Sequence, residues 1–348
     1  MKVIGLDVGF GNTKSTWKGP YLGLDGGKQT WGELCFPSVA HPALVDDTKS
    51  GMAGSDRVLV KAESQSFYVG PRATLGESVR ALSENFIETE EYDAILTGAI
   101  AYSFRRGGEA TETLDVLVLG LPMSRYLKTR ARLKEIGQKT RKVPTGGIPR
   151  GNDFIDVRVK QVFVVPQPYG ALRFASEQNH ELFDDSHVSL IVDQGYNTLD
   201  WFVARGMRPQ LDLCGSFSGG MSHLLRKIGS AISSAEGVEL PNLATVEAAL
   251  ISGSLNAGHK LIDMSPYREL ASAEARSTVS EFLQLFNPAR NNISQIALSG
   301  GGARFFAPAL RDRLSAYRID IIEEPVMANS RGFWLHGMDT LHLQAETA

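Results

Sequence analysis

The chain has 348 residues, 43% hydrophobic and 22% charged, with 36 basic and 39 acidic side chains and a formal net charge of −3. That balance excludes a disordered tail, a staple-dependent mini-protein and a bulk polyanion binder, and at roughly 100–200 residues per domain the length points to two domains. Two cysteines, Cys35 and Cys214, make no disulfide framework, which favours a reducing, cytoplasmic setting. The first residues reach Asp7 too soon for a secretory signal, no window is apolar for long enough to span a membrane, and the histidines lack zinc-ligand spacing.

In chain order, Val3, Ile4 and Leu6 predict a strand, Asp7 to Asn12 a turn, and Thr13 to Trp17 a returning strand. Short strands and loops follow from about 30 to 75, then a helix over Glu84 to Tyr102. Leu114 to Leu121, stopped by Pro122, reads as a strand buried on both faces. Arg125 to Lys142 reads as a basic helix, Phe154 to Val165 as strands, and a helix begins at Pro166. The second half starts over: Val188 to Val192 is a strand, Asp193 to Thr198 a turn, and Leu199 to Ala204 a strand. Met221, Leu224, Leu225, Ile228 and Ile232 lie on one helix face, and Val279, Phe282, Leu283 and Phe286 repeat that spacing. Ile293 to Leu298 is a strand leading to Ser299-Gly300-Gly301-Gly302, and Ala328 to Gly337 is a closing helix. Alternating strands and helices make the class α/β.

Asp7-Val8-Gly9-Phe10-Gly11-Asn12-Thr13 and Asp193-Gln194-Gly195-Tyr196-Asn197-Thr198 share Asp-x-Gly-aromatic followed by Asn-Thr, half a chain apart. Each follows an apolar strand, which suggests two related domains. Glycines in such a turn let backbone N–H groups converge on an anion, and an aspartate supplies oxygen to a hard cation such as Mg²⁺. Asn and Thr add donors, and Lys14 adds a point charge. Two such hairpins would clamp a polyphosphate with its Mg²⁺. Asp and Gly also suit hairpin turns for their geometry alone, and that reading stands beside the first.

Asp7-x-Gly9-x-Gly11-x-x-Lys14 resembles the first phosphate loop of the actin/Hsp70/sugar-kinase superfamily, and Asp193-x-Gly195-x-Asn197-Thr198-x-Asp200 its second. Leu298-Ser299-Gly300-Gly301-Gly302-Ala303 resembles the adenosine motif. Val164-Val165-Pro166-Gln167-Pro168-Tyr169-Gly170-Ala171 and Ala328-Asn329-Ser330-Arg331-Gly332-Phe333-Trp334 resemble the two connecting segments. All five stand in the superfamily's order. Gly9-Phe10-Gly11-Asn12-Thr13-Lys14, Phe36-Pro37-Ser38-Val39, Tyr68-Val69-Gly70, Gly120-Leu121-Pro122 and Arg331-Gly332-Phe333-Trp334 are similar to the ParM/StbA plasmid-segregation ATPases, among them the PRTRC system protein D group.

The resemblance implies an actin-like ATPase fold of two related domains with a nucleotide cleft between them. Domain I is 1–165 plus 327–348, with a small inserted subdomain at about 30–75, and domain II is 166–326. It implies a slow Mg²⁺-dependent ATPase whose cofactors are ATP and Mg²⁺. Asp7 and Asp193 would hold the metal through water, Asp193 also serving catalysis. Gly9, Gly11, Asn12, Thr13 and Lys14 would bind phosphate from one side and Gly195, Asn197 and Thr198 from the other. Gly300, Gly301 and Gly302 would approach adenine and ribose, with Gly219, Gly220 and Lys227 also at the nucleotide. Gln167 stands where the superfamily orients the attacking water; a glutamine can place water but cannot act as a base. Gly170 and Gly332 would let two connecting helices pack closely.

The implied partner is a second copy, in a head-to-tail filament, with a DNA-binding adaptor protein and no direct nucleic-acid or membrane contact. The basic stretch Arg125, Lys128, Arg130, Arg132, Lys134, Lys139, Arg141 and Lys142 has no interleaved aromatics for base stacking and reads as a solvated face. It could instead meet the acidic stretch Glu84, Glu88, Glu90, Glu91 and Asp93 of the next subunit. A small-molecule kinase and a nucleotide-dependent scaffold without turnover remain alternatives on the same fold. A Rossmann site does not fit, because Lys14 stands where a third glycine should and a strand follows.

Overall fold

Six strands form the first sheet, in the order β3-β2-β1-β7-β9-β8. β1 (Val3–Val8) is buried along its whole length, as its apolar run requires. It pairs antiparallel with β2 (Asn12–Leu22), which pairs with β3 (Lys28–Pro37). A three-stranded sheet, β4 (Ala40–Pro42), β5 (Val58–Lys61) and β6 (Ser66–Val69), follows in the chain. In this computed structural model residues 2–22, 28–43, 56–73, 85–145, 154–258 and 260–347 are described; Glu84 and parts of the expected 30–75 subdomain lie outside them.

Helix α1 (Glu90–Gly107) begins where the Thr89 hydroxyl accepts the Tyr92 N–H at 3.2 Å and ends at Gly108, φ 72°. β7 (Thr113–Leu121) then runs parallel to β1. Helix α2 (Met123–Gln138) is shorter than the expected basic helix: Arg141 and Lys142 belong to β8 (Arg141–Pro144). No glycine stops it. The buried Arg141 guanidinium instead donates to the carbonyls of Ile136, Gly137 (3.2 Å) and Lys139 (2.8 Å) and pairs with Asp93 at 2.9 Å. β9 (Phe154–Pro166) is parallel to β7 and passes without a loop into α3 (Gln167–Gln178).

The second sheet has the order β12-β11-β10-β16-β17. β10 (Val188–Gln194) and β11 (Leu199–Arg205) form a hairpin, flanked by β12 (Arg208–Pro209) and β13 (Gly215–Phe217). Helix α4 (Met221–Glu236) buries the predicted face of Met221, Leu224, Leu225, Ile228 and Ile232. α5 (Leu243–Ser252), the hairpin β14 (Ser254–Ala257) and β15 (Lys260–Asp263), and α6 (Ser265–Leu285) follow. β16 (Gln295–Ser299) lies parallel to β10, then come α7 (Ala303–Arg313) and β17 (Ile319–Ile321). The chain divides into two compact units, Met1–Glu177 with Met327–Ala348, and Gln178–Val326. Among the described helices none is long and apolar enough to cross a membrane.

Helix α8 (Ala328–Thr347) returns to the first unit and packs on β1 and β7. It crosses α3 with backbone against backbone: a Cβ on Gly332 would stand 1.7 Å from the Gly170 carbonyl oxygen, and one on Gly170 2.4 Å from the Asn329 carbonyl oxygen. Nearby, His336 lies edge-on to Phe163 and Tyr169, at 5.6 and 5.5 Å between ring centroids. Its Nδ1 is 3.3 Å from the Tyr169 hydroxyl. Burial pushes the His336 pKa below its ordinary value, with Asp339 opposing and Arg173 assisting.

Gly332→Ala should lower unfolding stability by about 2 kcal/mol or more in urea titration, because backbone cannot yield as a side chain does, whereas Gly301→Ala, which meets open space, should change it by less than ~0.5 kcal/mol. The fold favours neutral His336, so its stabilisation is present above the ordinary histidine value of 6.5 and is lost as pH falls through and below it. His336→Phe should therefore show a smaller drop in Tm between pH 7.5 and 5.5 than the wild type; an equal drop would contradict this.

Candidate functional site

In the first unit the site is built around Asp7, at the end of β1 and 1% exposed. Gln167 Nε2 donates to its Oδ1 at 2.6 Å, and Lys14 Nζ to its Oδ2 at 3.0 Å. Lys14 reaches it because it is the cross-strand partner of Asp7 on β2. Gln167 reaches it because α3 starts as soon as β9 ends, two strands away, and its side chain passes over Gly120 on β7. A Cβ on Gly120 would stand 3.0 Å from Gln167 Cγ. The turn between β1 and β2 is closed by the Gly9 N–H on the Asn12 carbonyl at 3.2 Å. The Gly11 carbonyl accepts the Ser38 N–H at 3.1 Å, and the buried Thr13 hydroxyl lies 2.8 Å from that of Ser38. Thr13's side chain thus secures the hairpin to the residue that follows β3.

The second unit repeats the construction. Asp193, 4% exposed, lies on β10, and the Gly195 N–H closes the turn on the Thr198 carbonyl at 3.0 Å. Four residues span each turn, Gly9 to Asn12 and Gly195 to Thr198. Asn12 therefore corresponds to Thr198, and Lys14 to Asp200. The Asn-Thr match in the sequence repeat is displaced by one residue from this structural equivalence. Where Asp7 faces a lysine, Asp193 faces Asp200, 2% exposed, which accepts the Thr198 hydroxyl at 2.5 Å.

Two further segments meet this turn. The Gly220 N–H donates to the Asn197 carbonyl (3.2 Å), Met221 to Gly195 (3.1 Å) and Ser222 to Tyr196 (2.7 Å), so α4 starts directly on the loop. The Gly302 N–H donates to the Gln194 carbonyl at 3.0 Å. Gly300 adopts φ 85° with its N–H on the Pro325 carbonyl at 2.9 Å, and a Cβ there would lie 2.4 Å from Asp193 Oδ1. Residues 193–198, 219–220 and 300–302 thus form one cluster. Lys227 lies farther along α4 and pairs with Glu274 of α6 at 2.6 Å. Between the acidic and basic stretches, Glu88 pairs with Arg132 at 3.2 Å and Asp93 with Arg141 at 2.9 Å within one chain.

Sequence reasoning missed Ser38, Gly120, Gln194 and Glu274 as supporting residues. Gly120 carried a signal, as a glycine at the end of an otherwise bulky buried strand. Ser38 stood in the Phe36-Pro37-Ser38-Val39 run, whereas the contacts of Gln194 and Glu274 leave no local pattern, because their partners are remote in sequence.

Residues 5–170 match the family model for the actin-like proteins N-terminal domain, and residues 191–312 that for the archaeal actin homologue MreB-like C-terminal domain. Among solved structures the chain is similar to Ta0583, an archaeal actin homolog, with TM-score 0.77 and 18% identity over 97% of this chain and 100% of that one. It is similar to the same protein in complex with ADP, with TM-score 0.71, 18% identity and coverage of 97% and 100%. It is also similar to the ParM of a 15-stranded filament from Clostridium botulinum, with TM-score 0.74, 16% identity and coverage of 97% and 99%. No curated protein matches the chain by sequence.

Removing one partner of a buried ion pair strands the other charge. Lys14→Met should cost about 2–3 kcal/mol, less than a wholly buried pair because Lys14 keeps a solvent edge, and Asp7→Asn combined with Lys14→Met should recover at least half of the loss in urea unfolding.

Proposed function

Since the chain belongs to the actin-like protein family and has its fold, we propose that it binds and hydrolyses ATP and assembles into filaments that serve plasmid or DNA segregation. The observation that carries this is the repeated hairpin: a buried aspartate at the end of a central strand, followed by a four-residue turn closed by a glycine N–H, once in each unit. Ordinary hairpin turns need no buried carboxylate, and burying one is costly without partners. The ADP complex of Ta0583 and the ParM filament support nucleotide binding and self-assembly as the activities to test first.

The residues fit a magnesium ion. Asp193 and Asp200 are cross-strand neighbours on the hairpin, both buried, and two side-chain carboxyls placed side by side supply the oxygen donors that a hard cation prefers. In the second unit Asp193 would hold the ion, which when bound neutralises charge on the phosphates. Asp7 already accepts from Gln167 and Lys14, so an ion on its side would be reached through water.

The chain's own groups account for the chemistry asked of them. Lys14, held by Asp7, presents a positive charge beside the first turn. Gln167, tethered by its Nε2, is left with its carbonyl oxygen to orient a water, which suits slow hydrolysis used as a timer. A head-to-tail contact between copies generates a helix when its rotation does not close, which suits assembly driven by nucleotide state. We place this activity in the cytoplasm, with DNA reached through an adaptor protein.

The purified chain should bind one ATP, and Asp7→Asn and Asp193→Asn should each weaken that binding. Mg–ATP should increase light scattering and the pelleted fraction, and EDTA should reverse both. Gln167→Ala should lower phosphate release by about tenfold or more with ATP affinity within ~3-fold, as for a group that acts after binding. Scattering unchanged by Mg–ATP would remove the filament reading, and turnover that rises only with a small hydroxylated acceptor would favour a kinase.

A further inference from the structure

We propose that Gln194 is a positioning residue that holds the Gly219–Gly220 turn and the Gly300–Gly302 turn in register with the second phosphate loop, and so sets affinity for the nucleoside part of the ligand. This rests on the nucleotide-binding reading above. Gln194 ends β10 between Asp193 and Gly195, and is 1% exposed. Its side-chain amide and its main-chain carbonyl bond different turns. Nε2 donates to the Gly219 carbonyl at 2.6 Å, and the main-chain carbonyl accepts the Gly302 N–H at 3.0 Å. The contact with the glycine turn is close on both sides. A Cβ on Gly302 would lie 2.3 Å from Gln194 Cγ, and one on Gly300 2.4 Å from the Gln194 carbonyl oxygen.

The chemistry of the contact selects the residue. The atom facing the amide is a carbonyl oxygen, so only the NH₂ end of the amide can meet it, and a glutamate would set acceptor against acceptor. Asparagine is one methylene too short for the same span. The other end of the amide, Oε1, has no hydrogen-bond partner among the described residues. Gln194→Met keeps the length and removes the donor together with that unsatisfied acceptor. Packing is therefore retained while the link to Gly219 is lost.

The phosphate loop does not depend on this amide. It is closed by the Gly195 N–H on Thr198 and carries α4 through the bonds of Gly220, Met221 and Ser222. What loses support without the Gln194 amide is the Gly219 peptide, while the Gly302 N–H keeps its bond to the main-chain carbonyl of residue 194. Loss of the amide should therefore weaken nucleotide binding and leave the reacting phosphate's surroundings in place.

The test compares wild type, Gln194→Met, Gln194→Glu and Gly302→Ala by Mg–ATP titration calorimetry and by single-turnover hydrolysis at saturating ATP. Gln194→Met and Gln194→Glu should raise the ATP Kd by about tenfold or more while the single-turnover rate stays within ~2-fold, and Gln194→Met should melt within a few degrees of wild type. Gly302→Ala drives its Cβ into Gln194 Cγ, and less closely into the flexible Met221 side chain, and should raise Kd comparably; Gln194→Ala and the double variant complete the cycle, in which the Gly302→Ala effect should be at least ~5-fold smaller in the Gln194→Ala background. That cycle decides the matter even if Gln194→Met folds poorly. An unchanged Kd in Gln194→Met, a parallel loss of rate, or additive effects in the cycle would overturn the role of Gln194 alone. A wild-type chain that binds no ATP would overturn the nucleotide reading, and this inference with it.

Discussion

A carboxylate taken out of water has to be held by something else, and in the first unit that need organises the fold. Asp7 is held by an amide on one oxygen and an ammonium on the other. Those groups come from positions 14 and 167. The first is supplied by the antiparallel return of β2, where Lys14 falls opposite Asp7. The second requires β9 to lie two strands from β1 and to become a helix at its last residue, with Gly120 on the intervening strand left without a side chain. A parallel strand order and a bare glycine thus serve a single buried charge.

The second unit uses the same backbone and a different charge arrangement. Its aspartate faces another carboxylate rather than a lysine, and its turn is surrounded by backbone N–H groups from the start of α4 and by the glycine turn after β16. One hairpin therefore places a lysine opposite its aspartate, and the other places a second aspartate there. The turn is common to both units, and the residue opposite the aspartate is where they differ in chemistry. That divergence makes the first loop a seat for a phosphate and the second a seat for a metal in the function proposed.

Much of this was legible in the sequence because the signals are local. An apolar run ending in Asp-x-Gly predicts a buried strand and its turn, and both hairpins lie where that pattern places them. The spacing of Met221, Leu224, Leu225, Ile228 and Ile232 likewise gave the buried face of α4. What was not legible depends on partners far along the chain. The basic helix was read four residues too long because its end is set by Arg141 folding back onto three carbonyls, a stop that no glycine or proline announces. The repeat was aligned on its shared Asn-Thr, while the turns align on length; identity of side chains misled where backbone closure did not.

The closing helix shows why both chain ends are needed for one unit. Gly332 and Gly170 let α8 cross α3 at backbone contact, and that closeness carries the next residue, Arg331, into the interior. There its guanidinium makes two hydrogen bonds of 2.9 Å to Glu33 on β3 and lies 5.1 Å from the Phe174 ring centre on α3. A planar fork with two fixed donors suits a carboxylate in a way a lysine would not. Thr16 on β2 adds a buried bond to Ser330 at 3.0 Å. The hairpin that carries Asp7 and Lys14 is thereby fastened from behind by the last helix of the chain, while α3, which carries Gln167, is pinned by the same crossing. The glycines fix the distance between helices, and the distance fixes how Gln167 and the hairpin stand toward each other. The aspartate's hydrogen bonds thus depend on two residues whose only contribution is to lack a side chain.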